Sequence, residues 1–338
     1  MVSVTNEPRS APTIPYWPWG YVATGIIAVA AILIAPLAAY VFLIAMFGLP
    51  HVLCELRYCD ERFCARAPRA ALILIGVLLA ALVILRLALP AGLISSSIAT
   101  TAELGVGIAL VLSATWFMRS NRLVGLLAGA AIGTGIVVAP IMTFLIFAWL
   151  HNLTPLGFIA EIVPRRDRAR VVAMLLFPFL LLPALVASGV LQEAIAKWFG
   201  YSLAQAPSLF GAGRYPLSAF LTGGVPFPNA LPLFSAAVTA QAMHYLSVII
   251  VMPALLARYG QASPRPIVPW PSWRGFAIAV AIIALLFFSF NALDYKTARI
   301  FYGVVAAIHS WVELPIFLLA LGAALIAAQT RSSPQATK

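Results

Sequence analysis

Carboxylates are scarce in this sequence: Asp and Glu number 10 in 338 residues, against 21 Lys and Arg, and charged residues make up 9%. A soluble domain of this size carries far more charge, so a water-solvated globule is excluded. Histidine is equally sparse, with four, and cysteine sparser, with three. Cys54, Cys59 and Cys64 stand at five-residue steps, which is not zinc-type spacing. They fall where the charge pattern indicates cytoplasm, so incidental reduced thiols are expected. No contiguous basic surface is interleaved with aromatics, so the net charge of +11 does not point to nucleic acid. The first twenty residues hold no basic-apolar-small cleavage pattern, and no removable signal peptide is expected.

Apolar residues, by contrast, fill 63% of the chain. Each crossing of a bilayer takes roughly 20 of them. Runs near 22–48, 70–92, 97–118, 123–139, 140–163, 171–192, 234–257, 276–294 and 300–327 predict an all-α polytopic transmembrane bundle of about nine spans, within a range of eight to ten. The run from Tyr21 to Tyr58 is long for one helix, and Pro36, Gly48 and Pro50 are candidate breaks. The domain plan is a polar segment 1–20, one transmembrane domain 21–328 and a tail 329–338. Within it, residues 193–233 form an aromatic-rich connector, read as interfacial, with a lid over a substrate entrance as the sharper alternative.

Basic residues gather in Arg57–Arg69, Arg119–Arg122, Arg165–Arg170 and Arg258–Arg274. The positive-inside rule turns these loops to the cytoplasm, as in an integral protein of a bacterial inner membrane. Nine spans then leave the amino terminus outside; a further break in the first run would give ten and bring it inside.

All four histidines, His51, His151, His244 and His309, lie in or beside apolar runs. An ionisable ring inside a membrane is costly, which marks these positions as functional candidates. Two recur in the same pattern: His51 with Glu55, and His309 with Glu313. At four residues apart on a helix the two side chains share a face. Such a carboxylate can ligate a common metal, or accept the second ring N–H and fix the tautomer. Asn152, Gln241, Tyr245 and Trp311 are the neighbouring candidates for substrate contact or ligand support. A straight first span leaves His51 near the cytoplasmic edge, so its joining the others requires that helix to bend or shift. Arg86 and Glu103 are expected to form a structural ion pair, and Asn291, Thr134 and Thr143 interhelical hydrogen bonds. Ala35-Pro36 ahead of His51 echoes Ala139-Pro140 ahead of His151, but the spacing differs and the echo is read as coincidence.

The stretch Phe47-Gly48-Leu49-Pro50-His51 resembles the Gly-x-Pro-His element of the Brp/Blh family of membrane-bound β-carotene dioxygenases. The family element continues with Gly and Asp, where Val52 and Glu55 stand here. Its two late ligands share one helix, whereas His244 and His309 fall on different spans. The resemblance implies a polytopic fold, iron held by four histidines, and cleavage of a polyene. It agrees with the reading of the residues themselves: ferrous iron as cofactor, with another transition metal or haem as alternatives, and dioxygen and an apolar small molecule from membrane lipid as reactants. Two other functions fit the same residues. One is a transporter using Arg86, Glu103 and the histidines. The other is a bis-histidine haem protein, with Gly125, Gly129, Gly133 and Gly135 as the groove.

Overall fold

The computed structural model describes residues 17–64, 67–118, 122–199, 208–218, 221, 230–259 and 266–332. Among them the structure is helical without a strand. In chain order the helices are α1 (Trp17–Ile34), α2 (Pro36–Arg62), α3 (Arg69–Ala88), α4 (Ser96–Phe117), α5 (Arg122–Val138), α6 (Pro140–His151), α7 (Thr154–Ile162), α8 (Arg165–Ala187), α9 (Val190–Phe199), α10 (Ala230–Tyr259), α11 (Trp273–Leu293) and α12 (Tyr295–Ser332). With α6 and α7 taken as one interrupted rod, eight rods among the described residues are long and apolar enough to cross a membrane, and α1 and α5 are shorter apolar helices. Apolar side chains such as Ile27, Ile73, Val77, Leu127 and Leu286 point outward, while His51, Glu55, Thr239, His244, Asn291, His309 and Glu313 are buried. Polar inside and apolar outside is the arrangement of a protein solvated by lipid. This is an integral membrane protein.

The long first run is two helices, not one. Ala35 (φ −141°, ψ 68°) breaks it, because Pro36 disfavours the helical region for the residue before it. Ala139, before Pro140, has nearly the same backbone (φ −160°, ψ 78°), and so does Asp294 between α11 and α12 (φ −148°, ψ 88°). At Asp294 no proline follows; the carboxylate accepts from Thr297 N instead, at 3.1 Å. Ala35-Pro36 and Ala139-Pro140 thus make the same one-residue turn, and Asp294 makes a third of similar backbone. Each turn feeds a histidine-bearing rod.

Two π-helical turns have a common origin. In α8 the Leu182 N–H reaches back five residues to the Phe177 carbonyl, and in α10 the Met252 N–H reaches back to Ser247. Each is followed by a proline, Pro183 or Pro253, with no N–H to continue the normal ladder.

The rods α2, α6–α7, α10 and α12 all start at one end of the bundle. At that end Arg299 meets Tyr40, and Tyr40 packs edge-on to Phe234. At the other end Arg62 pairs with Glu161 at 2.6 Å, and Asp60 accepts from Ile267 N, Val268 N and Trp270 Nε1 at 2.8–3.0 Å. The basic clusters belong to this second end. Arg86 and Glu103 do pair, at 2.6 Å. Thr143 and Asn291 do not bridge helices; each donates to a carbonyl of its own helix, Ala139 and Phe287. In connector 193–233, residues 200–207, 219–220 and 222–229 lie outside the described residues.

Candidate metal centre

Four parallel rods starting at one end bring residues near their middles to a common depth. That places His51 of α2, His151 at the end of α6, His244 of α10 and His309 of α12 around one point. Their ring centroids are 4.7 Å (His151–His309), 4.9 Å (His51–His309 and His151–His244), 5.3 Å (His51–His244) and 6.1 Å (His244–His309) apart. His51 joins them because its helix begins at Pro36, so the ring sits mid-rod instead of at the edge that a span from 22 implied.

Glu55 does not bond the imidazole on its own helix. Its Oε2 lies 3.1 Å from His244 Nε2 and 3.4 Å from His309 Nε2. Glu313 holds His309 Nδ1 at 3.1 Å through Oε1 and His151 Nδ1 at 3.0 Å through Oε2. Each carboxylate thus spans two histidines of different helices, and His309 touches both acids. The His309–Glu313 pair behaves as its spacing predicts, whereas Glu55 works across the bundle.

His51 is oriented by backbone and by stacking. Its Nδ1 donates to the Phe47 carbonyl at 3.1 Å, which leaves Nε2 as the lone-pair nitrogen. Its ring stacks on Tyr245 at 3.9 Å and 24°. Tyr245 OH is fixed in turn by Gln241 Nε2 at 2.5 Å and Tyr302 OH at 2.6 Å. Gln241 therefore supports Tyr245, not His244. Tyr302 lies so close to Gly48 that a Cβ there would stand 2.7 Å from its ring, which is a packing reason for glycine at position 48.

The interruption between α6 and α7 falls at the centre. Asn152 ends α6 with its side chain on the Ala148 carbonyl. Thr154, first residue of α7, places its Oγ1 2.9 Å from both the His151 carbonyl and Glu313 Oε2. Broken helices in membranes occur where the freed backbone lines a polar site. Trp311 lies apart from the histidines: its indole N–H goes to Glu103 at 2.9 Å and its ring stacks on Phe147.

Five of the six central residues are essentially dry: His51 2% exposed, Glu55 and His244 0%, His309 and Glu313 1%. The donor atoms of His51, Glu55, His244 and His309 lie within 4.8 Å of one another, and those of His151, His309 and Glu313 form a second such group. One ion with bonds of about 2.1 Å spans nearly that distance between opposite ligands. Two carboxylates face four imidazoles with no Lys or Arg among them, a donor set and charge that suit a divalent transition metal. The groups present are therefore able to bind one.

The haem groove is not open. Gly125 is covered by Thr115 and Gly129 by Leu112, both on α4. The glycines serve close packing of α4 on α5. The Glu55 carboxylate contacts the Nε2 of both His244 and His309, the pair whose ring centroids lie 6.1 Å apart.

Thr154 and Tyr302 were not singled out from the sequence. Thr154-Pro155 is a helix-restart signal directly after His151; Tyr302 carries no local signal, because its role is fixed by α2 and α10. No protein-family model matches the chain, and neither a curated protein nor a solved structure shows significant similarity to it.

Proposed function

We propose that this protein is a membrane-bound non-haem iron oxygenase acting on a lipid-soluble polyene or isoprenoid, similar in chemistry to the Brp/Blh β-carotene dioxygenases. The observation that carries this reading is the meeting of all four histidines with two acids midway along the apolar rods. Imidazole and carboxylate donors with open positions suit ferrous iron, which supplies dioxygen activation when bound. His51, His244, His309 and Glu55 form the four-residue ligand group; Glu313 holds the rings of His151 and His309 in place, and Thr154 holds Glu313. Phe47 keeps the His51 proton on Nδ1. The apolar rods exclude water, and so protect reactive intermediates.

Access is expected beside α6. That helix has no buried residue, and the His151 side chain is 11% exposed, more than the other three rings. An apolar substrate approaching from lipid meets least cover there. The protein is placed in a bacterial inner membrane with its basic end cytoplasmic, on the positive-inside rule. A transport path through Arg86 and Glu103 loses its motive, since the two neutralise each other and Trp311 occupies the same carboxylate oxygen.

The test is metal analysis with an absorption spectrum on detergent-purified protein, followed by oxygen uptake with a polyene. About one iron per chain and substrate-dependent uptake are expected. Stoichiometric iron in a variant with all four histidines changed to alanine would end this reading.

A further inference from the structure

Arg299 lies one turn inside α12, at the end of the bundle opposite the basic clusters. Arg57, Arg62 and Arg86 each meet a carboxylate, at 2.7, 2.6 and 2.6 Å. Among the described residues Arg299 meets none. Its Nη2 donates to Tyr40 OH at 3.1 Å, its guanidinium carbon lies 5.6 Å from the Tyr302 ring centroid, and the Tyr295 phenol is its third polar neighbour. Asp294, the nearest acid in sequence, is committed to Thr297 N, and Lys296 stands beside it. Phenols satisfy donors but do not neutralise a guanidinium, whose planar fork matches a carboxylate or phosphate. Tyr295 also lines a cavity of about 250 Å³, together with Phe210, Gly211, Ala212, Leu293, Asp294 and Lys296. The segment that contributes Phe210 and Gly211 turns through left-handed residues, at φ 52° and φ 69°.

We propose that Arg299, with Tyr40 and Tyr295, recognises the anionic head, a carboxylate or a phosphate, of a long-chain amphiphile. The site adjoins the metal centre through Tyr302, which bonds Tyr245, the residue stacked on His51. Along α12 the rise from Arg299 to His309 is about 15 Å at 1.5 Å per residue. A position about 15 Å from the head of a chain anchored at Arg299 would therefore lie at the depth of the histidines. Only this last point rests on the oxygenase reading; the anion site does not.

Binding of four probes to the full chain in neutral detergent tests it: oleate, oleyl phosphate, oleyl alcohol and inorganic phosphate. Oleate and oleyl phosphate should bind at least roughly tenfold more tightly than oleyl alcohol. Arg299→Gln should erase that preference, Arg299→Lys should keep part of it, and bound iron should be unchanged in both. Tyr40→Phe, which keeps the charge, should weaken the anionic probes severalfold and covers the case in which the glutamine variant does not fold. Equal binding of oleate and oleyl alcohol, or a preference that survives Arg299→Gln, would overturn the anion site. Inorganic phosphate binding as tightly as oleyl phosphate would overturn the amphiphile in favour of free anion. Selective anion binding by a wild-type protein without affinity for iron would leave this site standing and remove the oxygenase.

Discussion

Two charged clusters lie within the apolar rods, and they are balanced on different terms. Arg86, Glu103 and Trp311 form a closed set: one cation, one anion, and an indole N–H on the same carboxylate oxygen. The histidine centre has two acids, four rings and no fixed cation. An insertion cost of a few kcal/mol per buried charge makes the first arrangement complete in itself, and the second complete only with protons or a metal. The difference separates a structural polar contact from a candidate reaction centre, although both were legible as polar residues in apolar runs.

The largest expected effect falls on the residue that touches both acids. His309→Ala should lower metal content below about a tenth of wild type, read by elemental analysis after purification, because it removes a ligand and leaves Glu55 and Glu313 opposed. Metal retention at the wild-type level would erase the distinction between the two clusters. The converse change is Glu103→Gln. It should leave metal content intact but destabilise the fold by about 2–3 kcal/mol, since Arg86 loses its counter-ion in a low-dielectric setting. Adding Arg86→Leu should recover most of that loss in thermal unfolding; failure to recover would mean the pair does more than neutralise itself. The smallest effect is expected at Thr154→Val, with roughly tenfold weaker metal binding and little change in melting temperature, the size usual for a hydrogen bond that orients a ligand. A melting-temperature loss as large as that of Glu103→Gln would recast Thr154 as a structural residue of the α6–α7 break.

Much of the fold was readable from apolar periods and prolines. Composition predicted an all-α membrane bundle, and Pro36 was already a candidate break in the overlong first run. What could not be read was the effect of that break on depth. Counted from Tyr21, His51 falls at an edge; counted from Pro36, it lies beside His244 and His309. The same limit explains Gln241, which shares a helical face with both His244 and Tyr245. Only the position of Tyr302 decides that it serves the tyrosine. Trp311 sits two residues from His309, yet its indole turns to α4, because successive helical residues point to different neighbours.

Sequence alone determined that the chain must live in lipid, since 63% apolar residues and ten acids cannot coat a water-facing surface. It also determined which few residues are able to carry chemistry, because so few ionise. The tertiary structure decided the partners. Whether an acid serves the ring on its own helix, as Glu313 does, or rings on two others, as Glu55 does, follows from how four rods entering at the same end lie against one another. Spacing within one helix fixes direction, but distance between helices is set by packing.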